Sequence, residues 1–114
     1  MERLQRALEG GKLARLEISR RLAEGWSGKS EQVREELRVW ARWWHDLLLI
    51  KLGLGAHVSQ GDDLRHQADR YTLDQVRAAI ATLVQARADL DQNVNPRLAL
   101  DVALLKLPRP VRVA

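Results

Sequence analysis

The sequence predicts an all-α protein, folded as a single compact bundle of five or six helices. Apolar residues recur at steps of three and four along most of the chain, and no segment alternates between apolar and polar over a strand's length. Helix-start signals also precede several of these periodic segments. The 114 residues suit one domain, because typical domains hold about 100–150 residues.

The chain opens with two predicted helices, over residues 1–9 and 12–24, separated by Gly10-Gly11. The second has apolar residues on two sides, so we expect it to be covered from more than one direction. One side holds Leu13, Leu16 and Ala23, and the other holds Ala14, Ile18 and Leu22.

A loop over residues 25–30 is predicted next, with Ser30 as a fair N-cap for the third and longest helix, over about 31–52. Gly53 and Gly55 end that helix. Its Trp43 lies at the edge of the apolar stripe, where it is either part of the core or an aromatic anchor for a partner. The stripe itself, predicted as core, comprises Val33, Leu37, Trp40, Trp44, Leu47 and Leu48.

After a connection over 56–61, we predict a short helix over 62–70 and then a fifth helix capped by Thr72, with Gln75 completing a capping box. Arg87 falls inside the apolar stripe of the fifth helix. Its guanidinium either reaches out to water or makes planar hydrogen bonds that fix the docking of the last helix or of another subunit. The predicted stripe comprises Val76, Ala79, Ile80, Leu83, Val84 and Leu90.

The last predicted helix runs from Pro96 to Leu107, capped by Asn95 and stopped by Pro108. It has two apolar stripes that only three charged residues separate. Either both are buried inside the domain, or one packs against a neighbouring subunit, because an exposed apolar patch of that size favours aggregation. The first stripe is Ala99, Leu100, Ala103, Leu104 and Leu107; the second is Leu98, Val102 and Leu105, with Arg97, Asp101 and Lys106 as the charged residues.

The composition indicates a globular protein, with 46% hydrophobic and 30% charged residues. The net charge of +4 is mild, and most basic residues have an acidic neighbour one helical turn away, as in Glu35 with Arg38. Solvated helix faces are therefore expected, and direct DNA binding by this domain is not the first choice. The absence of cysteine, of a spanning segment and of a secretory signal favours a cytoplasmic protein without a membrane partner.

No catalytic constellation is predicted, and neither a cofactor, a metal nor a small-molecule substrate is expected. The segment 25–30 ends in Gly-Lys-Ser, but a helix precedes it where a phosphate-binding loop needs a strand. Asp62 and His66 are one turn apart, but two possible ligands do not make a metal site. A helix-stabilising pair is the simpler interpretation.

Three segments, in order along the chain, resemble the C-terminal domain of bacterial clamp-loader subunits, namely delta-prime of DNA polymerase III and its gamma/tau relative. Asp46-Leu47-Leu48-Leu49 and its continuation to Gly53 match the segment before a short loop. Tyr71-Thr72-Leu73-Asp74-Gln75 matches a helix start, and Asn93-Val94-Asn95-Pro96-Arg97-Leu98-Ala99-Leu100-Asp101 matches the start of the final helix.

The resemblance implies an orthogonal, collar-type bundle over residues 1–107, followed by a basic tail over 108–114. It implies a non-catalytic domain of the DNA polymerase III holoenzyme that oligomerises with other clamp-loader subunits during DNA replication. The start of the last helix favours delta-prime over gamma/tau. The family's nucleotide-binding region would lie before residue 1. We expect Leu98, Val102, Leu105, Arg97, Trp43 and Arg87 at the subunit interface.

Two other function classes remain open from the residues alone. One is a free-standing helical adaptor that binds a partner helix in a groove near Trp43. The other is a weak nucleic-acid binder that uses Arg34, Arg38 and Arg42 together with the basic tail.

Overall fold

A computed structural model describes residues 1–55, 61–92 and 95–111, and in these ranges the chain is an all-α bundle, as predicted. Its second helix packs against each of the other four and so forms the centre of the fold. None of the helices in the described ranges combines the length and the apolar character needed to cross a bilayer. The helices are α1 Glu2–Glu9, α2 Lys12–Lys51, α3 Gly61–Ala68, α4 Leu73–Asp91 and α5 Pro96–Lys106.

The loop predicted over 25–30 is wrong, because α2 continues through it with a sharp kink at Lys29 (φ −136°, ψ 46°). A Cβ placed on Gly25 would lie 3.1 Å from Val33 Cγ2. Residues eight apart in a straight helix are separated by about 12 Å, so the two arms fold back on each other at the kink. Arg34 closes this bend, with its guanidinium 4.7 Å from the centre of the Trp26 ring. The two helical segments on either side were therefore correctly predicted, but the chain turns at the single residue Lys29 and not in a loop of six residues.

The core is built mainly from the stripes that the periodicity identified on the second arm of α2 and on α4. Leu48 and Ile80 of those stripes are half-buried. Two predictions are wrong: Leu13 is 84% exposed and Val84 is 61% exposed. Leu13 lies on α2 and Val84 on α4, and on both helices the described residues leave this flank largely uncovered. The confirmed core residues of these two stripes are Val33, Leu37, Trp40, Trp44, Leu47, Val76, Ala79, Leu83 and Leu90.

Arg15 is a buried cation at the junction of three helices, only 2% exposed. Its Nε donates to the carbonyl of Ala7 (2.8 Å), and Nη1 donates to the carbonyls of Leu104 (2.9 Å) and Leu107. Nη2 donates to the carbonyl of Pro108 (3.0 Å). Carbonyls in the last turn of a helix lack partners within the helix and carry its negative dipole end. Arg15 therefore caps the ends of α1 and α5 together.

Burial lowers the pKa of Arg15, and the nearby positive charge of Arg109 lowers it further. Leu107 and Pro108, which follow α5, are held by their hydrogen bonds to Arg15. The chain beyond them is held as well, because Val111 N–H donates to the carbonyl of Arg70 (2.9 Å). The first part of the predicted basic tail lies against the bundle. Residues 112–114 of that tail are outside the described residues.

An aromatic cluster joins α2 to the chain just before α4. The rings of Trp43 and Trp44 meet edge to face with centroids 4.9 Å apart, and Tyr71 lies 5.0 Å from Trp44 and 6.4 Å from Trp43. Such geometry contributes about 0.5–1.5 kcal/mol per pair beyond area burial. Burial raises the pKa of the Tyr71 phenol to about 12.

Replacing Arg15 should destabilise the fold strongly, because four carbonyls at two helix ends lose their donor in the interior. We expect Arg15→Met to lower the free energy of unfolding by at least about 3 kcal/mol, measured by urea denaturation. The matched control is Arg21→Met on the same helix, an exposed residue for which we expect a change below about 0.5–1 kcal/mol. Equal losses in the two variants would contradict the capping role of Arg15.

The single tyrosine allows the packing of the aromatic cluster to be tested by titration. Tyrosinate absorbance should rise with a midpoint of about 12 in the folded protein, and of about 10 in denaturant. Because the unfolded chain loses this proton first, stability should fall as the pH rises from about 10 to about 12. A midpoint near 10 in the folded protein would show that Tyr71 is not buried.

Candidate interaction surface

The helix that offers the candidate surface, α5, starts with a strong N-terminal cap. Asn95 Oδ1 accepts hydrogen bonds from the backbone N–H groups of Arg97 (3.0 Å) and Leu98 (3.2 Å). Pro96 occupies the first turn, where no intrahelical donor is needed. The predicted cap at Asn95 is confirmed, while Asn93 and Val94 of the same sequence motif lie outside the described residues.

The two apolar stripes of α5 have different environments. The stripe of Ala99, Leu100, Ala103, Leu104 and Leu107 is buried. The other stripe faces outward, with Leu98 58%, Val102 44% and Leu105 43% exposed. The alternative in which both stripes are internal is therefore wrong. The three branched apolar side chains thus form an exposed row along one helix.

A shallow groove of about 260 Å³ runs beside this exposed stripe, between α4 and α5. Its walls are mostly short side chains, including Ala81, Ala99 and Ala103, so another backbone can approach closely. Asp89 and Lys106 carry the two opposite charges on the lining. The groove and the exposed stripe form one continuous surface, because Val102 belongs to both.

The other flank of α5 is electrically neutral. Arg97 Nε donates to Asp101 Oδ1 at 3.0 Å, one helical turn apart. Arg97 was expected at a subunit interface, and its side chain borders the exposed stripe on this flank. An exposed pair of this kind contributes little to stability. Arg97 and Asp101 thus frame the apolar stripe without adding net charge.

The remaining predicted site residues lie elsewhere. Trp43 is half-buried and packed in the aromatic cluster, so its ring is part of the core edge. Arg87 is half-buried on α4, and no hydrogen bond or ion pair within the described ranges involves it. Thr72 forms the predicted capping box with Gln75, which confirms this cap. The structure therefore brings Leu98, Val102, Leu105 and Arg97 together but places Trp43 and Arg87 apart from them.

Other candidate sites are occupied by contacts within the chain. Arg34 pairs with Asp91 and Glu31, and Arg38 pairs with Glu35. In the small polar pocket between the end of α1 and the segments that follow α3 and α5, Arg70 is held by Glu9. Among the residues that the structure describes, no group of three His, Cys, Asp or Glu is placed to hold a metal. Asp62 and His66 were considered above as possible metal ligands, and the side chain of Asp62 lies outside the described part of the structure.

Sequence reasoning missed Arg15, although the signal was present. Arg15 precedes Ile18, Ser19 and Leu22 at helical spacing, and all four are buried on one face. Arg87 also falls inside an apolar stripe, on α4, and for that reason was predicted either to reach out to water or to make planar hydrogen bonds. Periodicity indicates that an arginine points inward, but it does not show whether carbonyl groups lie there to accept its hydrogen bonds.

Comparison with known proteins gives no family for this chain. No protein-family model, no curated protein and no solved structure matches it.

The cap of α5 controls how firmly the candidate surface is held. Asn95→Ala should lower the free energy of unfolding by about 1 kcal/mol, because two N–H groups lose their acceptor. Asn95→Asp is the matched control, since it keeps the oxygen acceptor and adds a negative charge at the helix start. Thermal or urea unfolding measures both. If the alanine variant is as stable as the aspartate variant, the side-chain cap contributes nothing.

Proposed function

We propose that this chain is a non-catalytic collar domain of a bacterial DNA polymerase III clamp-loader subunit, delta-prime in preference to gamma/tau. It oligomerises with other clamp-loader subunits in the cytoplasm and helps to assemble the complex that loads the sliding clamp on DNA. Its contact with DNA is indirect, through that complex. The single observation that supports this most directly is the exposed apolar stripe of Leu98, Val102 and Leu105 on α5.

The places of the three resembling segments in the fold also support the proposal. Each falls at a helix boundary: Leu52-Gly53 ends α2, Thr72 caps α4 and Asn95 caps α5. Gly53 has a positive φ of 79°, a conformation that favours glycine at the end of a helix. The resembling residues are thus of the kind that determine where helices start and stop. The exposed stripe begins directly after the third of these boundaries.

The proposed mechanism is scaffolding by burial of apolar helix surface. Burying a fully exposed branched apolar side chain gains about 1.5–3 kcal/mol, and each side chain of the stripe, 43–58% exposed, can gain about half of that. A partner that covers the stripe would bury three such side chains without a change in the bundle. Neighbouring subunits would then be held in order, so that domains elsewhere in the assembly act together on clamp and DNA.

The proposal predicts that the chain forms a complex with the other clamp-loader subunits when it is co-expressed with them. Val102→Glu should abolish co-elution in size-exclusion chromatography, because a carboxylate would be buried in the subunit interface. Leu13→Glu is the matched control, since Leu13 is 84% exposed and belongs neither to α5 nor to the groove beside it, and it should assemble normally.

Circular dichroism melting of both variants should match the unsubstituted chain, because both positions are exposed. A chain that never co-elutes with these subunits contradicts the proposed function. Capture of an unrelated partner helix, with no clamp-loader contact, would instead favour the helical adaptor.

A further inference from the structure

We propose that the free chain forms a two-fold symmetric dimer through the exposed face of α5 and the groove beside it. This goes beyond the proposed function, which concerns different subunits, although both use the same surface. The occupant of the face is a second copy of this chain, packed with its α5 antiparallel to the first.

The apolar stripe of α5 has the spacing that such a two-fold axis requires. Leu98 precedes Val102 by four residues and Leu105 follows it by three, so the stripe is nearly symmetric about Val102. In an antiparallel pair centred there, each Leu98 meets Leu105 of the second copy, and the two Val102 side chains meet at the axis. A two-fold interface needs this kind of self-complementary patch.

The charges beside the stripe are also self-complementary. Lys106 follows Val102 by one turn and lies on the groove side of α5, while Asp89 lies on the α4 wall of the groove. Because α4 leads into α5 through residues 92–95, Asp89 lies near the start of α5 and Lys106 near its end. A two-fold axis keeps the groove sides of both copies on the same side of the interface. Each Lys106 therefore faces Asp89 of the second copy.

The other surroundings of the two charges permit this pairing. Asp89 Oδ1 accepts a hydrogen bond from Gln85 Nε2 at 2.9 Å, one turn away on α4. Lys106 is exposed. Arg97 and Asp101 lie on the opposite flank of α5 and neutralise each other.

The size of the face indicates a weak dimer. An eleven-residue helix is about 16 Å long, so its outer side and the adjoining flank of α4 offer less than the roughly 800 Å² per partner of a standard interface. We therefore expect a dissociation constant between about 10 µM and 1 mM. An association this weak leaves the face free for stronger partners at low concentration.

Sedimentation equilibrium of the purified chain over this concentration range tests the proposal. We expect reversible dimers, abolished by Val102→Glu and unchanged by the control Leu13→Glu. Asp89→Lys and Lys106→Glu should each weaken the dimer about tenfold or more, because two contacts per dimer become repulsive. The double variant Asp89→Lys with Lys106→Glu should restore dimerisation, because the exchanged charges again face each other.

A monomer at about 1 mM would overturn the inference, as would a double variant that stays as weak as the single ones. A chain that is monomeric alone but joins the clamp-loader subunits would overturn the dimer and leave the proposed function standing. A chain that dimerises but never joins those subunits would overturn the proposed function and leave the dimer standing.

Discussion

The bundle depends on the buried guanidinium of Arg15, whose hydrogen-bond partners among the described residues are all carbonyl oxygens. Arg15 bonds to the last turn of α1, to the last turn of α5 and to Pro108 beyond it. Burying a charge is costly unless its hydrogen bonds are made, and Arg15 uses four of its five N–H groups in this way. Since helix C-termini carry partial negative charge, two helix dipoles stabilise the cation that caps them. The constraint also fixes the angle of α5, because its end cannot move without breaking these bonds.

The orientation of α5 in turn decides which of its residues are exposed. With its end held against Arg15, the helix buries only one of its two apolar stripes. The outward stripe is therefore a consequence of how the core is tied together. A rigid helix that presents apolar side chains loses little conformational entropy on association, which suits a surface used for assembly.

Much of the fold could be predicted because it follows from local periodicity and capping chemistry. The stripes around Trp44 and Leu83, and the caps at Thr72 and Asn95, were all predicted from residue type and spacing. The errors at Leu13 and Val84 share one cause. Periodicity shows that a helix flank is apolar, whereas exposure depends on whether another element packs there. The loop expected around Gly25 failed for a related reason: glycine lowers helix stability by about 1 kcal/mol, and packing of Trp26 and Val33 at the bend outweighs that cost.

The sequence by itself determined the all-α class, the starts of α4 and α5 and the presence of a second apolar stripe on the last helix, because these depend on neighbours within a few residues. Only the tertiary structure decided that the stripe of Leu98, Val102 and Leu105 faces outward, that α2 turns at Lys29, and that Arg15 rather than Arg87 is the arginine that ties helices together. Each of these depends on contacts between residues far apart in the chain. Arg15 and Leu104, for example, are brought together across 89 positions, and no local pattern records that distance.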